Sequence, residues 1–196
     1  MNCPFSRSIL PLVCFLLIHL ASSSQTPIEL DSIEGISSVE FYGYPTPEIT
    51  SIRLFFVQRN ISKNVVVYDA NRDESGTIDT REPALIYWKR YNDGLGGKEF
   101  ELRWFERRLG YRLKIFETTN HSALVSIASY KKKKFRIVQS PDGSIQAKIE
   151  IKGRMSAMTY IFMHMAKDTF FPEINYIEIG GHDLNTGEFI FERFLP

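Results

Sequence analysis

The chain has 196 residues, with 24 lysines and arginines against 23 aspartates and glutamates, a formal charge of +1. Such a balance excludes a general nucleic-acid binder, which shows a basic surplus. Both cysteines, Cys3 and Cys14, lie in a stretch that reads as a removable leader, so the mature chain is expected to have neither a disulfide nor thiolate chemistry.

That leader has three parts. Met1–Arg7 carries one positive charge, Ile9–Leu20 is almost unbroken apolar sequence, and Ala21-Ser22-Ser23-Ser24 supplies small residues for cleavage. The apolar run falls short of the roughly twenty residues that span a bilayer as a helix. Residues 1–24 are therefore expected to be a secretory signal peptide, residues 25–50 a lead-in and residues 51–196 one β-rich domain, with no transmembrane segment in the mature chain. Loss of Arg7 brings the formal charge to zero. Two glycosylation sequons, Asn60-Ile61-Ser62 and Asn120-His121-Ser122, fall in predicted turns and fit an extracellular destination.

In the lead-in, Pro27, Pro45 and Pro47 leave room for a short edge strand at Val39–Tyr42. Leu54–Arg59 is apolar on both faces and should be covered on both sides. Val65–Asp69 is β-branched and aromatic. After a long polar loop, Pro83 leads into a third strand, Ala84–Tyr91. Lys98–Leu109 is read as the one helix: Leu102, Phe105 and Leu109 make an apolar stripe, Glu99 and Arg103 can pair, and Gly97 and Gly110 suit its ends.

Beyond Gly110 the period returns to two. Arg112–Glu117, Ala123–Ile127 and Lys134–Val138 follow, then a Ser140-Pro141-Asp142-Gly143 turn and a cleanly alternating Ile145–Lys152. Met155–Met165 is read as a long strand from its Thr, Tyr, Ile and Phe content, and Asn175–Leu184 with Glu188–Leu195 as a closing hairpin. About nine strands joined by short turns, with one helix, predict an antiparallel barrel or sandwich.

Separated pieces of this pattern resemble the secreted proteins grouped as domain of unknown function 4833. They are Leu54-Phe55-Phe56 with Gln58-Arg59, Val67-Tyr68 with Asn71, Pro83 leading to Tyr87-Trp88, Glu106-Arg107 with Tyr111, and Gly180 with Thr186-Gly187 and Glu192. The likeness spans most of Ile52–Pro196. Where such proteins tend to read Ala-Tyr-Gly after the helix, this chain has Gly110-Tyr111-Arg112. The resemblance implies a compact, secreted, β-rich domain and brings no activity, substrate or cofactor with it.

Several groups bear on chemistry. Arg59, Tyr68, Asn71, Tyr87, Trp88, Glu106 and Tyr111 sit at strand ends and on the predicted helix, where aromatic walls with a few polar groups can hold a small ligand or an extracellular protein. The same residues suit core packing, with Tyr and Trp finding hydrogen-bond partners. Asp69-Ala70-Asn71-Arg72-Asp73 opens like an acidic calcium loop but lacks the glycine spacing and the closing glutamate, so an Asx-type turn is the better reading. Glycoside hydrolysis would need a second carboxylate, Glu178 or Glu192, facing Glu106. His121, His164 and His182 show no zinc spacing, and no nucleophile elbow, P-loop or dinucleotide fingerprint is present. No catalytic residue, metal ligand or cofactor is therefore assigned. Lys131, Lys132, Lys133 and Lys134 form a basic cluster at a predicted turn, suited to heparin-like glycans, to anionic lipid headgroups or simply to water.

Overall fold

A computed structural model describes residues 42–166 and 173–196. The expected leader at residues 1–24 and most of the expected lead-in, with the expected strand at Val39–Tyr42, lie outside the described residues apart from Tyr42 onward.

Among the described residues eleven strands make one sheet. In chain order they are β1 (Arg53–Arg59), β2 (Ser62–Ala70), β3 (Ala84–Arg90), β4 (Lys98–Glu101), β5 (Leu113–Thr119), β6 (Ser122–Ile127), β7 (Tyr130–Gln139), β8 (Ile145–Ile151), β9 (Arg154–Met165), β10 (Ile174–Asp183) and β11 (Phe189–Phe194). The order across the sheet is β4-β3-β2-β1-β9-β8-β7-β6-β5, with β10 and β11 branching from β9. All pairings are antiparallel except β1 with β9, which run parallel.

The twelve-residue β9 organises the sheet. Its first part, Arg154–Ala157, pairs with β8, its second part, Tyr160–Met163, with β1, and nearly all of it with β10. The strands β1–β4 and β5–β8 thus leave one edge of β9 as two wings that curl toward each other. Phe55 of β1 meets Phe135 of β7 edge-on at 5.3 Å between ring centres. The result is an open half-barrel, in keeping with the mainly β, largely antiparallel class anticipated from strand spacing.

Alternation sorts the side chains. Phe55, Val57, Val66, Tyr68, Trp88, Leu113, Val125, Phe135, Ile137, Ile149, Ile177 and Ile179 fill the concave side. Phe56, Val65, Val67, Tyr160, Phe162 and Tyr176 make a second cluster on the convex side. Leu54 through Gln58 are all buried, so β1 is covered on both faces as its sequence requires. Tyr44 and a stacked Tyr42–Phe162 pair help to cover the convex side.

Two-residue turns set the hairpin registers. At β8–β9, Ile151 faces Arg154 while Lys152 and Gly153 take φ of 48° and 74°. Both central residues in the left-handed region match the twist of the flanking strands.

The helix expected at Lys98–Leu109 is not formed. Lys98–Glu101 is edge strand β4, paired with Tyr87–Arg90, and a π-helical turn over Glu106–Tyr111 follows, entered through Trp104 and Phe105. Leu102 packs on the core, but Phe105 and Leu109 face solvent. The stripe read as one apolar face is therefore divided between a strand end and a short turn. The unpaired edge of β3 offered Lys98–Glu101 backbone partners that no local periodicity reveals. No helix among the described residues is long and apolar enough to cross a membrane.

Candidate functional site

Five of the seven residues singled out from sequence come together at one end of the concave side. Tyr68 is fully buried, lies flat on Phe55 at 4.3 Å, and donates its hydroxyl to the carbonyl of Tyr111 at 2.7 Å. Tyr111 meets Trp88 edge-on at 5.5 Å. The Trp88 indole N–H donates to Oε2 of Glu106 at 3.1 Å, and the Arg59 guanidinium stands 5.4 Å above the Trp88 ring. Burial pushes the Tyr68 hydroxyl well above its ordinary range. Tyr111 is pushed up mainly by burial, with Arg59 opposing. Both phenols are thus held neutral.

Two hydrogen bonds and a cation–π contact tie these groups together. The concave space bounded by Tyr111, Ile127, Phe135 and Ile177 amounts to about 20 Å³, room for roughly one water. The cluster is a hydrogen-bonded joint between β2, β3 and the helical turn.

The remaining two residues lie elsewhere. Tyr87 points to the convex side, where its hydroxyl donates to Oδ2 of Asp69 at 2.7 Å and Asp69 also pairs with Arg53. Its hydroxyl is raised by burial and by the Asp69 hydrogen bond. Asn71 ties down the polar loop: its amide donates to the Glu82 carbonyl at 2.9 Å, and its own carbonyl accepts the Asp79 N–H. That loop folds over the wings, burying Ile78, whose N–H reaches Oε1 of Gln139 at 3.1 Å.

In the loop that opens like a calcium site, Asp73 closes an Asx-type turn. Its carboxylate accepts the hydroxyls of Ser75 and Thr77 and both of their backbone N–H groups. Those hydroxyl bonds hold it below the usual carboxylate range. Among the described residues no cluster of acidic and histidine groups could hold a metal ion.

The carboxylates that glycoside chemistry would require do not assemble as a facing pair. Glu178, fully buried, accepts from Tyr160 at 2.7 Å and pairs with Arg193 at 2.6 Å. It points to the face opposite Ile177 and Ile179, hence away from the concave joint that holds Glu106. Glu192 accepts the Lys152 N–H at 3.1 Å and lies 3.7 Å from Lys133.

The lysine cluster lies within β7 rather than at a turn tip. Val125 faces Phe135 and Ile127 faces Tyr130, so Ser126 alone opposes Lys131–Lys134 and the strand bulges. Lys133 reaches Glu192 and the Phe194 ring, and Lys134 stands over Phe116 at 4.3 Å. The sequon residue Asn120 is exposed in the β5–β6 turn, whereas Asn60 is half-buried and bonds the end of β9 through both its amide atoms.

One feature escaped the sequence reading. A groove of about 490 Å³ runs between the end of the polar loop, the helical turn and the β5–β7 edge, lined by Arg81, Arg108, Arg112, Lys114 and Lys131 together with Pro83 and Ile115. No carboxylate lines it among the described residues, and none of its five cations joins an ion pair there. Four arginines between positions 103 and 112 were the available signal. A helical stripe assignment spread them around a cylinder, whereas the short turn gathers Arg108 and Arg112 on one wall.

No curated protein and no solved structure matches the chain. The family described as domain of unknown function DUF4833 matches residues 55–193, which takes in β1 through most of β11. The chain belongs to the DUF4833 family.

Proposed function

We propose that this protein is a secreted binding module whose ligand is anionic and sits in the groove beside the helical turn. The observation that carries the reading is the convergence there of Arg81, Arg108, Arg112, Lys114 and Lys131 with no carboxylate among them. Like charges held together without counter-ions raise the local potential and recruit a ligand of opposite sign. Guanidinium groups match phosphate and sulfate oxygens in a two-pronged fashion. The groove is of the size that small-ligand sites have. Extracellular placement rests on the three-part leader, and Asn120, exposed in its turn, is the expected glycan acceptor.

Catalysis is the weaker reading, because Glu106, Glu178 and Glu192 are each engaged in bonds that tie strands together. Calorimetric titration with inositol hexakisphosphate, as a soluble polyanionic probe, tests the binding reading. Saturable binding that weakens with salt and falls at least about tenfold in Arg108→Gln/Arg112→Gln is expected, since charge-assisted bonds carry the affinity. Equal binding by the wild type and the double variant would remove the groove from consideration.

A further inference from the structure

The helical turn that supplies Arg108 to the groove also carries the most exposed large apolar side chains near it. Trp104 is 73% exposed, Leu109 70% and Phe105 42%. Trp104 and Phe105 touch edge-on at 6.1 Å. An ion pair between Arg107 and Glu82 fastens the turn to the loop that ends at Pro83, on the same groove wall as Arg81. A tryptophan, a phenylalanine and a leucine thus stand in water on the segment that carries Arg108 into the groove.

We propose that this end of the domain docks on an anionic phospholipid surface. The groove cations hold headgroup phosphates while Trp104 and Leu109 enter the headgroup layer. This deepens the anion-binding reading above and rests on it.

Charge complementarity and the apolar side chains select this occupant together. A soluble phosphate would satisfy the groove but leave Trp104 and Leu109 in water. A sulfated polysaccharide would meet the cations yet offers no apolar layer to receive those side chains. A bilayer surface offers both, and tryptophan is a residue that settles at the boundary between headgroup and acyl chain. With 24 basic and 23 acidic groups in the whole chain, attraction to such a surface has to come from an uneven distribution of charge, and the groove supplies it.

The test uses the secreted protein, co-sedimented with vesicles of phosphatidylcholine alone and of phosphatidylcholine mixed with phosphatidylserine. Acrylamide quenching of Trp104 is followed against the buried Trp88. Binding only to the mixed vesicles, with Trp104 protected from quencher, is the expected result. Arg108→Gln/Arg112→Gln is expected to weaken it roughly 30-fold, about fivefold for each cation near an anionic surface. Trp104→Ser/Leu109→Ser removes two exposed side chains without touching the core. It should cut vesicle binding at least about tenfold and leave hexakisphosphate affinity unchanged, because apolar insertion contributes only at the membrane.

Vesicle binding unaffected by Trp104→Ser/Leu109→Ser overturns the proposal. So does binding of hexakisphosphate or heparin without binding of the mixed vesicles, an outcome in which the anionic groove itself survives. Failure to bind hexakisphosphate, heparin or vesicles overturns both readings.

Discussion

Oε2 of Glu106 accepts two hydrogen bonds, one from the Trp88 indole at 3.1 Å and one from the Arg103 backbone N–H at 2.9 Å. A single carboxylate oxygen therefore joins the start of the helical turn to β3. Glu106→Ala leaves the Trp88 N–H without its acceptor at a buried position, and a loss of about 1–3 kcal/mol is expected from the denaturation midpoint. Glu106→Gln keeps a carbonyl oxygen in reach and should cost less. A Glu106→Ala protein as stable as the wild type would show that the bond contributes nothing to the fold.

Gly180 of β10 faces Tyr160 of β9 so closely that a Cβ there would stand 2.4 Å from the Tyr160 ring. The same ring places its hydroxyl 2.7 Å from the buried Glu178 carboxylate. A methyl group cannot be added without moving the ring and straining that bond. Gly180→Ala is expected to destabilise by at least about 1–3 kcal/mol, the cost of overpacking. The pair Gly180→Ala/Tyr160→Phe should lose less than the sum of its parts if the clash and the bond are coupled through the ring.

At the other end of β9, Asn60 donates to the Met165 carbonyl at 3.0 Å and accepts its N–H at 2.7 Å. This side chain imitates one more residue of ladder where the parallel β1–β9 pairing ends at Arg59 and Met163. Asn60→Ala is expected to raise hydrogen exchange at the Met165 amide and to lower stability by about 1–2 kcal/mol. Unchanged protection at that amide would mean the tie is dispensable.

Tyr68, Tyr87 and Tyr111 are all raised above 10.0, in each case chiefly by burial. An acid whose ionisation is suppressed in the folded state favours folding fully below its unfolded value, near pH 10. That contribution is lost as pH rises toward the folded values, because the unfolded chain releases the protons first. Stability should be level on approach to pH 10 and fall steeply above it. Phenolate absorbance at 295 nm should then rise together with loss of the near-ultraviolet circular dichroism signal. Ionisation of all tyrosines ahead of unfolding would contradict this order.

The strands were legible in the sequence wherever alternation or β-branched residues were dense. Ile145–Ile151 puts its isoleucines and Ala147 inside, and Met155–Met165 proved to be strand despite a length that suits a helix. Lys98–Glu101 was misread because the i, i+3, i+7 spacing of Leu102, Phe105 and Leu109 is a local signal, whereas the β3 edge that captures this segment is a long-range one. Of the seven candidate site residues, Arg59, Tyr68, Trp88, Glu106 and Tyr111 do meet, in a joint tied by two hydrogen bonds and a cation–π contact. Convergence is readable from strand position. Whether converging groups leave space between them is not.

Sequence alone determined the β-rich class, the two-sided burial of β1 and the turn chemistry of the hairpins. Each follows from side-chain period or from φ preferences within a few residues. Tertiary structure decided the parallel β1–β9 pairing, the opening of the sheet into a half-barrel and the gathering of Arg81, Arg108, Arg112, Lys114 and Lys131 along one groove. Those depend on which strand edges meet across more than a hundred residues of chain in the case of Phe56 and Tyr160, and no local pattern carries that information.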